Sequence, residues 1–79
     1  MNSETVCAVI FRIEEYGIYL NYGDKIVLVL IPDVSMERIK YLKNEFSIGQ
    51  EINIYLLEYI PQKGLFKGSF VHPSLRLRP

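Results

Sequence analysis

The sequence predicts a small all-β barrel of five strands with a short helix between strands three and four. Two observations carry this. Short runs of β-branched and aromatic residues alternate with turn signals, and one stretch alone has helical spacing. The 79 residues form one domain over 1–79, with a core at about 5–71 and an irregular C-terminal tail at 72–79.

The first strand runs from Val6 to Ile13, where β-branched residues dominate. Glu14, Glu15, Tyr16 and Gly17 interrupt it, as at a bulge or a tight bend. Ile18 to Tyr22 forms the second strand and ends at Gly23-Asp24, a hairpin turn signal. The third strand, Lys25 to Ile31, stops at Pro32, which cannot donate to a ladder. The helix is expected from Asp33 to Leu42, with Ser35 as N-cap, Arg38 at the position of a capping-box acid, and Ile39 and Leu42 as its apolar pair.

Glu51 to Tyr59 alternates as a fourth strand, with Ile52, Ile54 and Leu56 on one face and Asn53 and Tyr55 on the other. Pro61-Gln62-Lys63-Gly64 makes a turn, and Leu65 to Val71 is the fifth strand. This order in so short a chain is that of an OB-fold barrel, whose closure removes exposed edges.

Composition narrows the function. Hydrophobic residues at 49% against 23% charged exclude a disordered tail. Lys plus Arg number 9 and Asp plus Glu number 9, so phosphate attraction over the whole surface is not available. Any nucleic-acid binding must come from a local patch and from stacking. No apolar run approaches the ~20 residues that span a bilayer, and Met1 to Thr5 is polar, unlike a signal peptide. The expectation is a cytoplasmic protein.

The lone Cys7 lies in an apolar run and is expected to be a buried structural thiol. His72, the single histidine, has no second ligand at metal spacing. Glu14 and Glu15 point to opposite faces of a strand, and no nucleophile sits with a base and orienter. The chain is therefore expected to be no enzyme and to need no cofactor or metal.

Three stretches carry a family resemblance: Val9-Ile10-Phe11-Arg12-Ile13-Glu14-Glu15-Tyr16-Gly17-Ile18-Tyr19-Leu20, Val27-Leu28-Val29-Leu30-Ile31-Pro32-Asp33-Val34, and Phe46-Ser47-Ile48-Gly49-Gln50-Glu51-Ile52-Asn53-Ile54. With a weaker match at Lys67-Gly68-Ser69-Phe70, they resemble the S-one type of RNA-binding OB-fold. That module is repeated in the largest protein of the bacterial small ribosomal subunit. It also occurs in exoribonucleases and translation initiation factors. The resemblance implies that Tyr16 and Tyr19 stack on bases and that Lys67 keeps a basic position of the last strand. The family's third-strand histidine falls at Leu30, its last-turn acid falls near Ile60 or Pro61, and an early glycine falls at Ala8.

Two functions are open at this point. The first is a single-stranded RNA-binding module in which Tyr16 and Tyr19 stack, while Lys67, Lys25 and Arg12, with Lys63, face phosphates. The second is a barrel that binds a protein partner or a second copy of itself. Its interface would be an apolar strand surface holding Phe11, Val29 and Leu30, since the third strand is apolar on both faces.

Overall fold

The computed structural model describes residues 5–34 and 42–71. Five strands, β1 (Thr5–Glu14), β2 (Gly17–Tyr22), β3 (Lys25–Leu30), β4 (Glu51–Ile60) and β5 (Leu65–Ser69), close into a barrel in the order β1-β2-β3-β5-β4. The predicted architecture is the observed one. All neighbours run antiparallel except β3 and β5, which pair in parallel through Val27↔Phe66 and Leu28↔Lys67.

β1 serves two neighbours. Its residues Thr5 to Val9 pair with β4, and Val9 to Glu14 pair with β2. The register shifts between Ile10 and Arg12, so Phe11 is a bulged residue with no partner in the β1–β2 ladder. A two-residue turn, Glu15-Tyr16, follows the pair Glu14↔Gly17; the interruption there is a tight bend, and the bulge lies earlier.

The helical region departs from expectation. Helical turns occupy α1 (Ile31–Val34) and α2 (Leu42–Glu45). The third strand ends at Leu30, one residue before the expected Ile31, and Pro32 sits in the first turn of α1, where its missing N–H costs nothing. The helical backbone therefore starts two residues before Asp33. Ser35, Arg38 and Ile39 lie outside the described residues, as do His72 and the tail.

Alternation sends Ala8, Ile10, Ile18, Leu20, Val27, Val29 and Ile54 into the barrel, where Val34 and Leu42 from the helical turns join them. Complete burial of an aliphatic side chain of this size is worth about 1.5–3 kcal/mol. Cys7 is not among them. It is exposed, because Ala8 and Ile10 take the inward positions of β1, and its Sγ lies 3.8 Å from Glu51 Oε1. A thiol one residue out of phase with the core faces solvent however apolar its neighbours in sequence.

Two contacts hold the barrel's weak points. At the β3–β5 end, Phe70 N–H donates to Asp33 C=O at 2.8 Å. The fully buried Ser69 hydroxyl lies 3.2 Å from the same carbonyl and 2.7 Å from Val71 C=O, and accepts from Val71 N–H at 3.0 Å. At the bulge, Gly49 N–H donates to Ile10 C=O at 2.7 Å and Ile10 N–H to Gln50 C=O at 2.9 Å. Gly49 takes φ of 91°, which disfavours any side chain, and Gln50 Oε1 accepts Ser47 N–H at 3.0 Å. The Gly-Gln pair is thus a turn that pins β1 where it changes neighbours.

Gly17 opens β2, paired with Glu14 of β1 and Leu30 of β3. A Cβ there would lie 2.5 Å from Val29 O, a backbone atom that cannot swing aside. Gly17→Ala is expected to destabilise the barrel by about 1–3 kcal/mol, measured by urea denaturation. Stability within roughly 0.5 kcal/mol of wild type would contradict this close approach.

Candidate functional site

One cross-strand row runs round the outer face of the barrel: Arg12↔Tyr19, Tyr19↔Leu28, Leu28↔Lys67 and Lys67↔Glu58. It draws one residue from each strand. A second, partial row lies beside it, with Gly17↔Leu30 on one side and Ile60↔Leu65 on the other. Of these residues Tyr19, Leu28, Lys67, Glu58, Leu30, Ile60 and Leu65, with Tyr16 and Lys63, line an open groove of about 440 Å³. Its floor is Leu28, Leu30, Ile60 and Leu65; tyrosines stand at one end and Lys63, Lys67 and Glu58 at the other.

The two bulges build this face. On β4, Ile54 and Leu56 point inward, so uninterrupted alternation would carry Glu58 into the core. The register shift between Leu56 and Glu58 puts Leu57 in the bulge and turns Glu58 and Ile60 outward. On β1 the bulge at Phe11 likewise leaves both Phe11 and Arg12 exposed and returns Ile13 to the core side.

Tyr16 and Tyr19 interact edge to face, with ring centroids 6.1 Å apart and planes at 89°. Their hydroxyls lie 2.8 Å from each other. This hydrogen bond, and secondarily partial desolvation, raises the Tyr16 pKa above the ordinary phenol value. Tyr16 is 48% exposed, so about half of the residue stays open to solvent. Arg12 places its guanidinium 5.4 Å from the Tyr19 centroid and pairs with Glu14, and the Phe11 ring lies 6.1 Å from the Tyr19 ring, tilted at 46°. Tyr19 is held from three sides.

The structure thus brings Tyr16, Tyr19 and Lys67 into one groove and sets Arg12 and Phe11 at its border. Lys25 is apart from it, paired with Tyr22 where the β2–β3 hairpin opens. Of the apolar surface set, Leu30 lines the groove, but Val29 is fully buried and belongs to the core. Leu28 shares the outer face of β3 with Ile26 and Leu30 but is only 9% exposed, because Tyr19 and Lys67 flank it in the ladder. Sequence reading missed Leu28, Glu58, Ile60 and Leu65. The available signal was the doublet Leu56-Leu57, which breaks the alternation of β4 where the bulge occurs.

Among the described residues, no three His, Cys, Asp or Glu side chains gather as a metal set, and no helix is long and apolar enough to cross a membrane. Comparison with known proteins agrees with the fold. A family model described as "S1 RNA binding domain" matches residues 2–67. A solved a/eIF2alpha–aDim2p–rRNA complex from Pyrococcus horikoshii contains a chain 25% identical, with a TM-score of 0.78 over 96% of this chain and 48% of that one. GSP13 from Bacillus subtilis is 19% identical, with a TM-score of 0.79 over 100% of this chain and 60% of that one. The alpha subunit of aIF2 from Pyrococcus abyssi is 25% identical, with a TM-score of 0.74 over 87% and 28%. The chain therefore spans about half of the first neighbour and less of the third. No curated protein matches.

The tyrosine pair can be tested by titration. A raised phenol pKa means that folding favours the neutral form. That contribution is complete below the ordinary phenol range of about 10 and is lost as pH rises through the raised value. Ultraviolet titration is expected to show one late-ionising tyrosine, which Tyr19→Phe removes by taking away the hydroxyl partner of Tyr16. Persistence of the late-ionising phase in that variant would contradict the hydroxyl contact.

Proposed function

Because the chain belongs to the S1 RNA binding domain family, we propose that it is a non-catalytic module binding single-stranded RNA through the groove beside Tyr16 and Tyr19. The observation that carries this is the convergence of two edge-to-face tyrosines, an apolar floor and two lysines on one open face. Aromatic faces accept any base, at about 1–3 kcal/mol per stacked base. Lys67 and Lys63 lie across the floor from the tyrosines, placed to meet phosphates of a strand whose bases stack. Arg12 acts chiefly by positioning Tyr19, since its charge is shared with Glu14.

Modest and sequence-tolerant affinity follows from the floor. The family's histidine position falls at Leu30 and its acid near Ile60 or Pro61, and Leu30 and Ile60 line the groove. Neither can hydrogen-bond a base edge. The formal net charge of zero removes long-range attraction as well. The cytoplasm suits this role, and an exposed thiol such as Cys7 stays reduced there.

A second reading rests on the same floor. Leu28, Leu30, Ile60 and Leu65 would equally receive an apolar side chain of a protein partner or of a second copy.

Titration of labelled single-stranded RNA separates the two. Binding is expected to saturate at low salt, to weaken as salt rises, and to fall by about 1–3 kcal/mol for each tyrosine replaced by alanine. Lys67→Ala is expected to lower the salt slope by about one. Leu30→His, which restores a donor, is expected to strengthen binding. No saturable binding at low salt, together with concentration-dependent sedimentation, would replace the RNA reading by the second.

A further inference from the structure

Beyond Tyr19 the aromatic surface continues. Phe11, Arg12, Ile13, Lys43, Phe46, Ser47 and Ile48 line a second open groove of about 520 Å³. It is separate from the first, which none of these residues lines. Tyr19 stands between the two, in ring contact with Tyr16 on one side and Phe11 on the other.

Three features make this groove a built one. The β1 bulge turns Phe11 outward, leaving it 38% exposed. The Gly49-Gln50 turn, hydrogen-bonded to Ile10, sets Ile48 beside it with 61% of its surface open. Phe46 forms the inner wall, packed against Phe70 with centroids 5.4 Å apart. A chain this small gains nothing in stability from keeping Phe11 and Ile48 in water.

The rim decides what fits. The charged side chains lining this groove are Arg12 and Lys43, both cations. Arg12 is tied to Glu14, and Lys43 makes no ion pair among the described residues. An apolar bed with a cationic border complements the flat faces and phosphates of a single strand. The 6.1 Å between Phe11 and Tyr19, and again between Tyr19 and Tyr16, exceeds the roughly 3.4 Å per nucleotide of a duplex strand. Platforms so spaced suit bases splayed out of a continuous stack.

We infer that the RNA track does not end at the tyrosines: Phe11, Ile48 and Lys43 form a second nucleotide subsite, and one strand runs from the Leu28–Lys67 groove over Tyr19 into it. This rests on the RNA reading of the first groove and extends it. The strand crosses the barrel along the row from β5 to β1. Phe11 supplies the stacking face, Ile48 the apolar neighbour, and Lys43 the phosphate contact.

The test compares oligonucleotide lengths. OB-folds cover roughly 4–16 nucleotides, so oligouridylates of about four and about ten bracket one groove and both. Wild-type protein is expected to bind the longer strand more tightly than the added register positions alone explain. Phe11→Ala is expected to weaken the longer strand at least about fivefold more than the shorter, the low end of one stacked base, because the lost support of Tyr19 falls on both lengths alike. Lys43→Ala is expected to lower the salt slope for the longer strand only. Circular dichroism and thermal melts confirm that each variant is folded, and Phe11→Leu, which keeps the bulk without the ring, is expected to lose the length advantage too. Equal losses at both lengths, or none at either, would overturn the second subsite while leaving the first. Absence of binding to both lengths by the wild type would instead remove the reading on which it rests.

Discussion

Closure of a small barrel leaves every strand hydrogen-bonded on both edges, and most of the molecule follows from how β1 meets that demand by changing neighbours part-way along. It pairs with β4 over its first half and β2 over its second, and the change of partner falls at Ile10. A straight, regularly alternating strand cannot make that turn and keep its apolar face inside. The bulge at Phe11 supplies the bend and resets the phase, so that Ile10 and Ile13 both reach the core side. As a by-product, Phe11 and Arg12 are left together on the outside, where they brace Tyr19. The bulge at Leu57 does the same on β4 and delivers Glu58 and Ile60 to the groove.

That dependence explains what was legible in the sequence. Strand existence was readable because Val, Ile, Tyr and Phe cluster between Gly, Pro and Asp signals, and the Gly23-Asp24 hairpin falls where those residues put it. Tyr16, Tyr19 and Lys67 could be named because they sit on stretches whose phase no bulge disturbs, or in a recognisable motif. Residues after a bulge were another matter. Ile60 and Glu58 change sides at Leu57, and period-two reasoning carries them to the wrong face. Val29 and Cys7 failed for a related reason: in an apolar run both faces look alike, and only the ladder says which residue is inside.

The groove's chemistry is a balance of what the barrel must bury and what it can expose. Leu28 is nearly covered, yet by its ladder neighbours and not by the core, so it is floor and structural filler at once. Lys67 and Glu58 face each other across β5 and β4, giving the groove's far end both signs of charge. Such a surface favours contact through shape and stacking over attraction at a distance. The tyrosine pair contributes rigidity as well as area: each hydroxyl has its partner in the other, so neither ring needs a ligand to hold it in place.

The parallel seam between β3 and β5 has a further meaning. It joins residues nearly forty positions apart through only the pairs Val27↔Phe66 and Leu28↔Lys67, with the Asp33 carbonyl fastening its end to Ser69 and Phe70. Contacts of such long loop closure, like those of β1 with β4, form after the three local hairpins β1–β2, β2–β3 and β4–β5. The groove lies directly over that seam, since Leu28 and Lys67 are both part of it. A strand lying from Tyr19 to Lys67 would thus bridge the two edges of that seam and, by binding only the closed form, hold the barrel shut where two pairs join β3 to β5.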